Sequence, residues 1–176
     1  RLVEPCLPQH LEVGGVAVGL ADAAAVRAAY ARLLDNARAG AREARISGVV
    51  VQAMGRGTVE MVIGVQDDPV FGPVVMAGFG GVLVEVLADV AFARAPVTPA
   101  QAGAMLDRLR GRALLDGVRG APPVDRAALA ELIAAVSRFA AANAGRLASL
   151  DLNPVLAGPD GAVAVDWLVL TASDAP

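Results

Sequence analysis

Asp166 stands in Ala162-Val-Ala-Val-Asp-Trp-Leu-Val-Leu170, a run that is apolar on both faces of any strand it forms. A lone carboxylate there costs several kcal/mol unless it is exposed, paired or bound to a cation. Ahead of it, Asn153 lies in Leu150-Asp-Leu-Asn-Pro154, and Gly158-Pro159-Asp160-Gly161 reads as a turn between the two segments. If they pair as a hairpin, an amide oxygen and a carboxylate meet near one end. Both are hard donors suited to Mg2+, which takes one or two protein ligands and completes its shell with water and phosphate. The plainer alternative stays open: Asn153-Pro154 ends a strand and Asp166 faces water.

Glu60 poses a similar question, between Val59 and Met61-Val-Ile63 and eight positions after Gln52. A strand ending in Gln52-Ala-Met54 can offer backbone groups to a purine ring. Glu60, returning alongside it, can reach a ribose or a magnesium ion. A solvated strand face explains the glutamate equally well.

Around these residues the chain divides into recognisable elements. Residues 1–20 read as extended, with Gly14-Gly15 as a turn before Val16–Leu20. Asp22 caps a helix over Ala23–Asn36 with Val26, Tyr30, Leu33 and Leu34 as its stripe. Gly48–Ala53, Val59–Val65 and Val74–Ala77 read as three strands of an antiparallel meander, with turns at Gly55-Arg-Gly57 and Asp67–Pro69. The glycines after the third strand, Gly78, Gly80 and Gly81, let the backbone turn or approach a ligand closely. A merely structural hairpin manages with fewer.

Thr98-Pro-Ala-Gln101 is a capping box with proline at the first helical position, opening a helix to about Arg110. Asp125 opens a longer one to about Asn143, with Leu129, Leu132, Ile133, Val136, Phe139 and Ala140 on one face. Leu147–Leu152 and Ala162–Thr171 complete the strands. The fold class is α+β: a largely antiparallel sheet with helices on one side. One domain is expected over residues 1–172, with a short tail at 173–176.

Composition narrows the function. Net charge is −3 with acids and bases interleaved, so no basic footprint for nucleic acid exists. All 15 basic residues are arginines, which codon usage in a GC-rich genome explains without function. The single cysteine, Cys6, excludes an internal disulfide and fits a reducing compartment. The most apolar stretch, Val74–Ala93, carries Glu85 and Asp89 and is broken by glycines, a poor membrane span. With no charged leader and apolar core at the start, a cytoplasmic location is expected.

The run Gly64-Val-Gln-Asp-Asp-Pro-Val-Phe-Gly-Pro-Val-Val-Met-Ala-Gly-Phe-Gly-Gly81 closely resembles the ATP-grasp domain of NDP-forming acyl-CoA synthetases. There, Gly-x-x-x-Asp-Pro-x-Phe-Gly-Pro is followed by Gly-Leu-Gly-Gly, and Phe79 replaces the usual leucine. Further blocks match in order: Glu12-Val-Gly-Gly-Val16, Val51-Gln-Ala-Met54, Glu60 to Gly64, Glu85, Asp89, Arg94-Ala-Pro96, Gly117-Val-Arg-Gly120, Asp151-Leu-Asn-Pro154 and Asp166. The beta subunit of succinyl-CoA synthetase is a more distant relative with the same Asn and Asp pair. The resemblance implies an ATP-grasp fold that binds ATP or ADP with Mg2+. It implies ligase chemistry in which a phosphohistidine on a CoA-binding domain or subunit swings to the nucleotide, and an oligomeric assembly. Gln52, Ala53 and Met54 would line the adenine hinge, Glu60 would bind nucleotide, Arg1 would take the place of a phosphate-binding lysine, and Asn153 with Asp166 would hold Mg2+.

Two departures qualify this. Where the family reads His-Lys-Thr-Glu, this chain reads Gln9-His-Leu-Glu12, so the lysine and threonine are gone. His10 stands either in the lysine's place or, after a one-residue deletion, in the histidine's. Family members also carry a stretch before the position of Arg1 that builds the other half of the nucleotide clamp. Residues 1–176 alone are therefore expected to bind ATP weakly and to show no turnover. The competing reading is a degenerate regulatory copy of the domain, as found fused to some protein acetyltransferases; the erosion at Gln9–Leu11 suits it, while the retained Gln52, Glu60, Asn153 and Asp166 suit an active site.

Overall fold

The computed structural model of the chain describes residues 2–3, 14–40, 46–81 and 88–173. Arg1, Cys6, Gln9, His10, Leu11, Glu12 and Glu85 lie outside the described residues. The chain forms two compact units, residues 1–54 and 55–176.

In the first unit β1 (Leu2–Val3) pairs antiparallel with β2 (Gly48–Val49), and α1 spans Ala23–Gly40. Asp22 caps the helix as its sequence requires: its Oδ1 accepts from the Ala25 N–H at 2.8 Å. The buried stripe is Ala29, Leu33 and Ala37, four residues apart, packed against Ala17, Leu34, Ile46 and Val49. Tyr30, expected in that stripe, is exposed. One other expectation gives way here: the strand over Gly48–Ala53 shrinks to Gly48–Val49. Among the described residues the ladder pairs Leu2 with Val49 and Val3 with Gly48, and strand pairing stops at Val49.

The second unit is built on a six-stranded sheet in the order β5-β4-β3-β6-β7, with β8 also pairing β6. Its strands are β3 (Val59–Asp68), β4 (Gly72–Phe79), β5 (Val90–Arg94), β6 (Leu147–Gly158), β7 (Gly161–Ala164) and β8 (Trp167–Thr171). The meander exists, but it is β3-β4-β5; β2 belongs to the other unit, and β3 finds its second neighbour in β6. The turn expected at Asp67–Pro69 forms two residues later, at Pro69–Phe71, because β3 runs on to Asp68. Asp68 Oδ1 accepts from the N–H groups of Val70 and Phe71, each at 2.8 Å, and closes the loop.

Helices α2 (Pro99–Arg108) and α3 (Arg126–Ala142) cover one face of this sheet. The capping box is complete: Gln101 N–H donates to Thr98 Oγ1 and Thr98 N–H to Gln101 Oε1. Asp125 caps α3 through the Ala128 N–H at 2.9 Å. Leu129, Ile133, Val136 and Ala140 are buried against Met61, Ile63, Val75, Ala77 and Phe79 in one core. Phe139, placed by the sequence on that face, is 49% exposed, and Ser137 is buried instead. Among the described residues no helix is long and apolar enough to cross a membrane.

Ser137 has a specific task in that core. Its Oγ accepts from the Val97 N–H at 2.9 Å and donates to Ala134 O at 2.8 Å, tying the entry of α2 to α3. Ser137→Ala strands a buried donor, an expected loss of about 1–3 kcal/mol. Urea unfolding should show a lower midpoint with an unchanged slope; an unmoved midpoint contradicts this account.

Candidate functional site

Strand β6 carries the candidate site, and a bulge shapes it. Met61 faces Val155 and Ile63 faces Leu152, so Val62 stands opposite both Asn153 and Pro154. The bulge shifts the buried set from Leu150 and Leu152 to Val155 and Ala157. By alternation Asp151 and Asn153 then project from the face away from the helices. Asn153-Pro154 therefore does not end the strand, as the sequence suggested; β6 runs on to Gly158. A proline gives no N–H to a ladder, and a bulge is where a strand tolerates that.

Asp166 is not inside a continuous strand either. It lies half-buried in the break between β7 and β8. The register survives the break, since Val155 pairs with Ala164 and Leu152 with Trp167. Asn153 thus falls opposite Asp166, and its N–H donates to Asp166 O at 3.3 Å. This meeting point is the middle of β6 rather than its end. The break also explains how a carboxylate is tolerated here: Asp166 Oδ1 accepts from the Trp167 N–H at 2.9 Å.

Sequence reasoning missed one member. Asp151 sits two residues before Asn153 on the same strand face, opposite Leu168 and Gly64. Burial, and then the negative charge of Asp166, raise its carboxyl above the ordinary carboxylate range. The i, i+2 spacing of Asp151 and Asn153 was the available signal.

Glu60 stands on the neighbouring strand β3, opposite Leu156, and is exposed. Its carbonyl accepts from the Gly80 N–H at 2.8 Å. A Cβ on Gly80 would lie 3.3 Å from Met61 O, and one on Gly81 3.4 Å from Glu60 Oε2. The β4 exit thus lies close on β3: a side chain at Gly80 would crowd its backbone, and Gly81 takes a φ of +61° that suits glycine. Gly78 answers to packing as well: a Cβ would come within 2.6 Å of Val90 Cγ1. Much of the glycine run is accounted for by the fold itself, contrary to the expectation that a structural hairpin needs fewer. Thr58, Val59, Glu60, Phe79 and Gly80 line a cleft of about 200 Å³ with Leu114, Val118 and Ala121.

Gln52, Ala53 and Met54 are exposed, lie outside any strand and belong to the first unit. Arg1 and His10 lie outside the described residues. The structure thus groups Asn153, Asp166 and Asp151, with Glu60 one strand away.

Among the described residues no three His, Cys, Asp or Glu side chains form a metal cage. The donor set nevertheless fits Mg2+, because all its donors are oxygens and the ion takes only one or two carboxylates. A half-buried carboxyl, Asp151, raised by burial and by the nearby charge of Asp166, is also the environment a divalent cation relieves.

A family model described as an ATP-grasp domain matches residues 1–170. The chain belongs to the ATP-grasp domain family. Among solved structures, the dinucleotide-forming acetyl-coenzyme A synthetase 1 of Ca. Korarchaeum cryptofilum, in complex with coenzyme A, Ca-AMPCP and HgCl+, superposes with a TM-score of 0.93 at 37% identity. That match covers 97% of this chain and 74% of that one. The same protein in complex with coenzyme A and Mg-AMPPCP, its phosphohistidine segment pointing towards the nucleotide binding site, gives a TM-score of 0.85 at 36% identity, covering 97% and 74%. Among curated relatives, the chain is 41% identical over 161 residues to trans-feruloyl-CoA synthase FCS1 of an unknown prokaryotic organism. It is 35% identical over 166 residues to the acetate–CoA ligase (ADP-forming) I subunit beta of Pyrococcus furiosus. These matches take in 90% and 94% of this ATP-grasp chain. The chain spans 23% of the first relative's length and 71% of the second's.

The Asp151–Asp166 pair makes a pH prediction for the ATP-grasp chain without divalent cations. With Asp151 raised in the folded state, the fold binds more protons than the unfolded chain above the ordinary carboxylate range. Stability therefore falls as pH rises through that window, from about pH 4 upward. Asp151→Asn removes the loss, so its melting temperature in EDTA at neutral pH should exceed wild type and vary less with pH. Parallel melting curves against pH for the two proteins contradict this.

Proposed function

We propose that this chain is the nucleotide-binding part of an NDP-forming acyl-CoA synthetase. Such an enzyme interconverts acyl-CoA, ADP and phosphate with acid, CoA and ATP, through a phosphohistidine carried by another domain or subunit. The observation that carries the reading is the juxtaposition of Asn153 on β6 with Asp166 in the break between β7 and β8, beside Asp151, within a chain matched to the ATP-grasp family over residues 1–170. The likeness to a synthetase solved with coenzyme A and Mg-AMPPCP supports ATP or ADP with Mg2+ as ligands. The beta-subunit relative supports a partner that holds CoA, in an oligomeric assembly. A cytoplasmic setting is in keeping with these reactants.

In this reading each residue has a distinct duty. Backbone groups of Gln52, Ala53 and Met54 hold the purine. The Glu60 carboxylate accepts hydrogen bonds from the nucleotide's hydroxyls. Arg1 places a guanidinium on phosphate, a planar fork where a lysine would give a point charge. Asn153 and Asp166 hold Mg2+, with Asp151 adding negative charge beside them. When bound, the ion neutralises phosphate charge and orients the terminal phosphoryl group.

Two experiments on the full-length protein test this. Asp166→Ala should abolish measurable Mg·ADP binding in calorimetry while circular dichroism and melting stay close to wild type. Unaltered titration by Mg·ADP would remove Asp166 from the site.

The second follows ATP formation from ADP, phosphate and a panel of short acyl-CoAs by coupled luciferase. Wild type should give a signal, and His10→Ala should lower it by about 10²–10⁴-fold if His10 supplies a proton or phosphate contact. A wild-type signal no higher than the no-enzyme blank, across the panel, favours the regulatory copy that the eroded Gln9–Leu11 segment suits.

A further inference from the structure

Asp89 is a buried carboxylate that the site described above does not use. It is 6% exposed and follows Ala88, whose φ of +44° is rare for a residue with a side chain. The Val90 N–H donates to Ala88 O at 3.0 Å, so the chain turns tightly about Asp89 and sends its side chain inward. There Oδ1 accepts from the Arg110 N–H at 2.9 Å and Oδ2 from the Gly111 N–H at 2.7 Å. Arg110 Nε stands 3.9 Å from Oδ1. Two charge-assisted bonds to successive backbone donors make a rigid clasp.

The clasp lies at a junction of close approaches. A Cβ on Gly111 would meet Phe79 Cε2 at 2.9 Å and Asp89 Oδ2 at 3.3 Å. A Cβ on Gly78 would meet Asp89 O at 2.7 Å. Gly111 begins the 3-10 turn Arg112–Asp116, and Leu114 N–H donates to Gly111 O at 2.8 Å. That turn delivers Leu114, then Val118 and Ala121, to the far wall of the cleft whose near wall is Thr58, Glu60 and Gly80.

We propose that Asp89 is a positioning residue for the nucleotide end of the site: by clasping Arg110 and Gly111 it sets the spacing between the Leu114–Ala121 wall and Glu60. This rests on the assignment of Glu60 to nucleotide binding. Asp89 bonds to Arg110 and Gly111, and the turn that follows Gly111 carries the cleft wall that faces Glu60. The clasp therefore bears on the nucleoside end through that wall.

The test is calorimetry on the full-length protein with two probes, AMP without metal and Mg·ADP. Asp89→Asn substitutes a donor for one acceptor, so one backbone N–H faces an NH2 group and the wall shifts. Both probes should lose affinity by the same factor, about tenfold, with binding stoichiometry near wild type. Gly111→Ala, which wedges the same junction from the other side, should do likewise and serves if Asp89→Asn is insoluble. A purely structural role would lower the stoichiometry through misfolded protein and leave the dissociation constants unchanged. That outcome overturns the proposal, as does a loss confined to Mg·ADP. If wild type binds neither probe, the nucleotide reading itself fails, and the positioning role fails with it.

Discussion

The second unit depends on one strand serving two ladders. β6 pairs with β3 along one edge and with β7 and β8 along the other, so the strand that carries Asp151 and Asn153 is held from both sides. The bulge at Asn153-Pro154 is where these demands conflict. The edge towards β3 needs an extra residue, and the edge towards β7 and β8 keeps its register by breaking at Val165–Asp166. The break gives Asp166 room to fold onto the Trp167 N–H. An irregularity in one ladder and an interruption in the other thus fall at the same point, and the oxygen donors stand there. Irregular strand geometry at a bulge commonly re-aims side chains in this way.

The glycines around β4 show how a motif can be structural and functional at once. Gly80 lies against the β3 backbone and Gly78 against Val90. The wall they form includes Phe79, which is buried in the core at 1% exposure. Phenylalanine in place of leucine there adds volume beneath the cleft, and Gly111 makes room for its ring. The Phe79 ring and the glycine in the facing turn thus form one packing arrangement.

Local chemistry was the legible part of the sequence. Thr98-Pro-Ala-Gln101, Asp22, Asp125 and Asp68 each carry their own hydrogen-bonding instruction within four residues, and each formed its cap or turn, the last of them two residues later than Asp67–Pro69. The illegible parts are non-local. Nothing near Val59–Val65 says that its second neighbour lies beyond residue 146. A run of β-branched residues at Gly48–Ala53 has strand propensity, yet among the described residues only Gly48 and Val49 pair, since propensity does not supply a partner. Tyr30 and Phe139 sit at helical spacing yet face outward, because periodicity gives a stripe and not the width of what covers it. In the site, the pairing of Asn153 with Asp166 was readable from the intervening turn. The role of Asp151 was hidden because its significance depends on which side of a bulge it falls.

The charge pattern explains why a metal ion is central to the proposed reading. Strands β3, β4, β6, β7 and β8 carry Glu60, Asp67, Asp68 and Asp151, with Asp166 in the break, and contain no arginine. A polyphosphate approaching such a surface alone is repelled, and burial around Asp151 makes that repulsion less screened than it is in water. In the proposed reading a divalent cation held at Asn153 and Asp166 would cancel the charge of the Asp151–Asp166 pair and offer phosphate oxygens a direct ligand. Basic groups from outside the sheet then need only complete the shell around the phosphates. On that account the missing family lysine at Gln9–Glu12 removes one of several positive contributions, and not the one on which phosphate binding chiefly depends. Loss of the Asn153–Asp166 pair would do the greater damage, because no arginine on those strands stands ready to replace the ion.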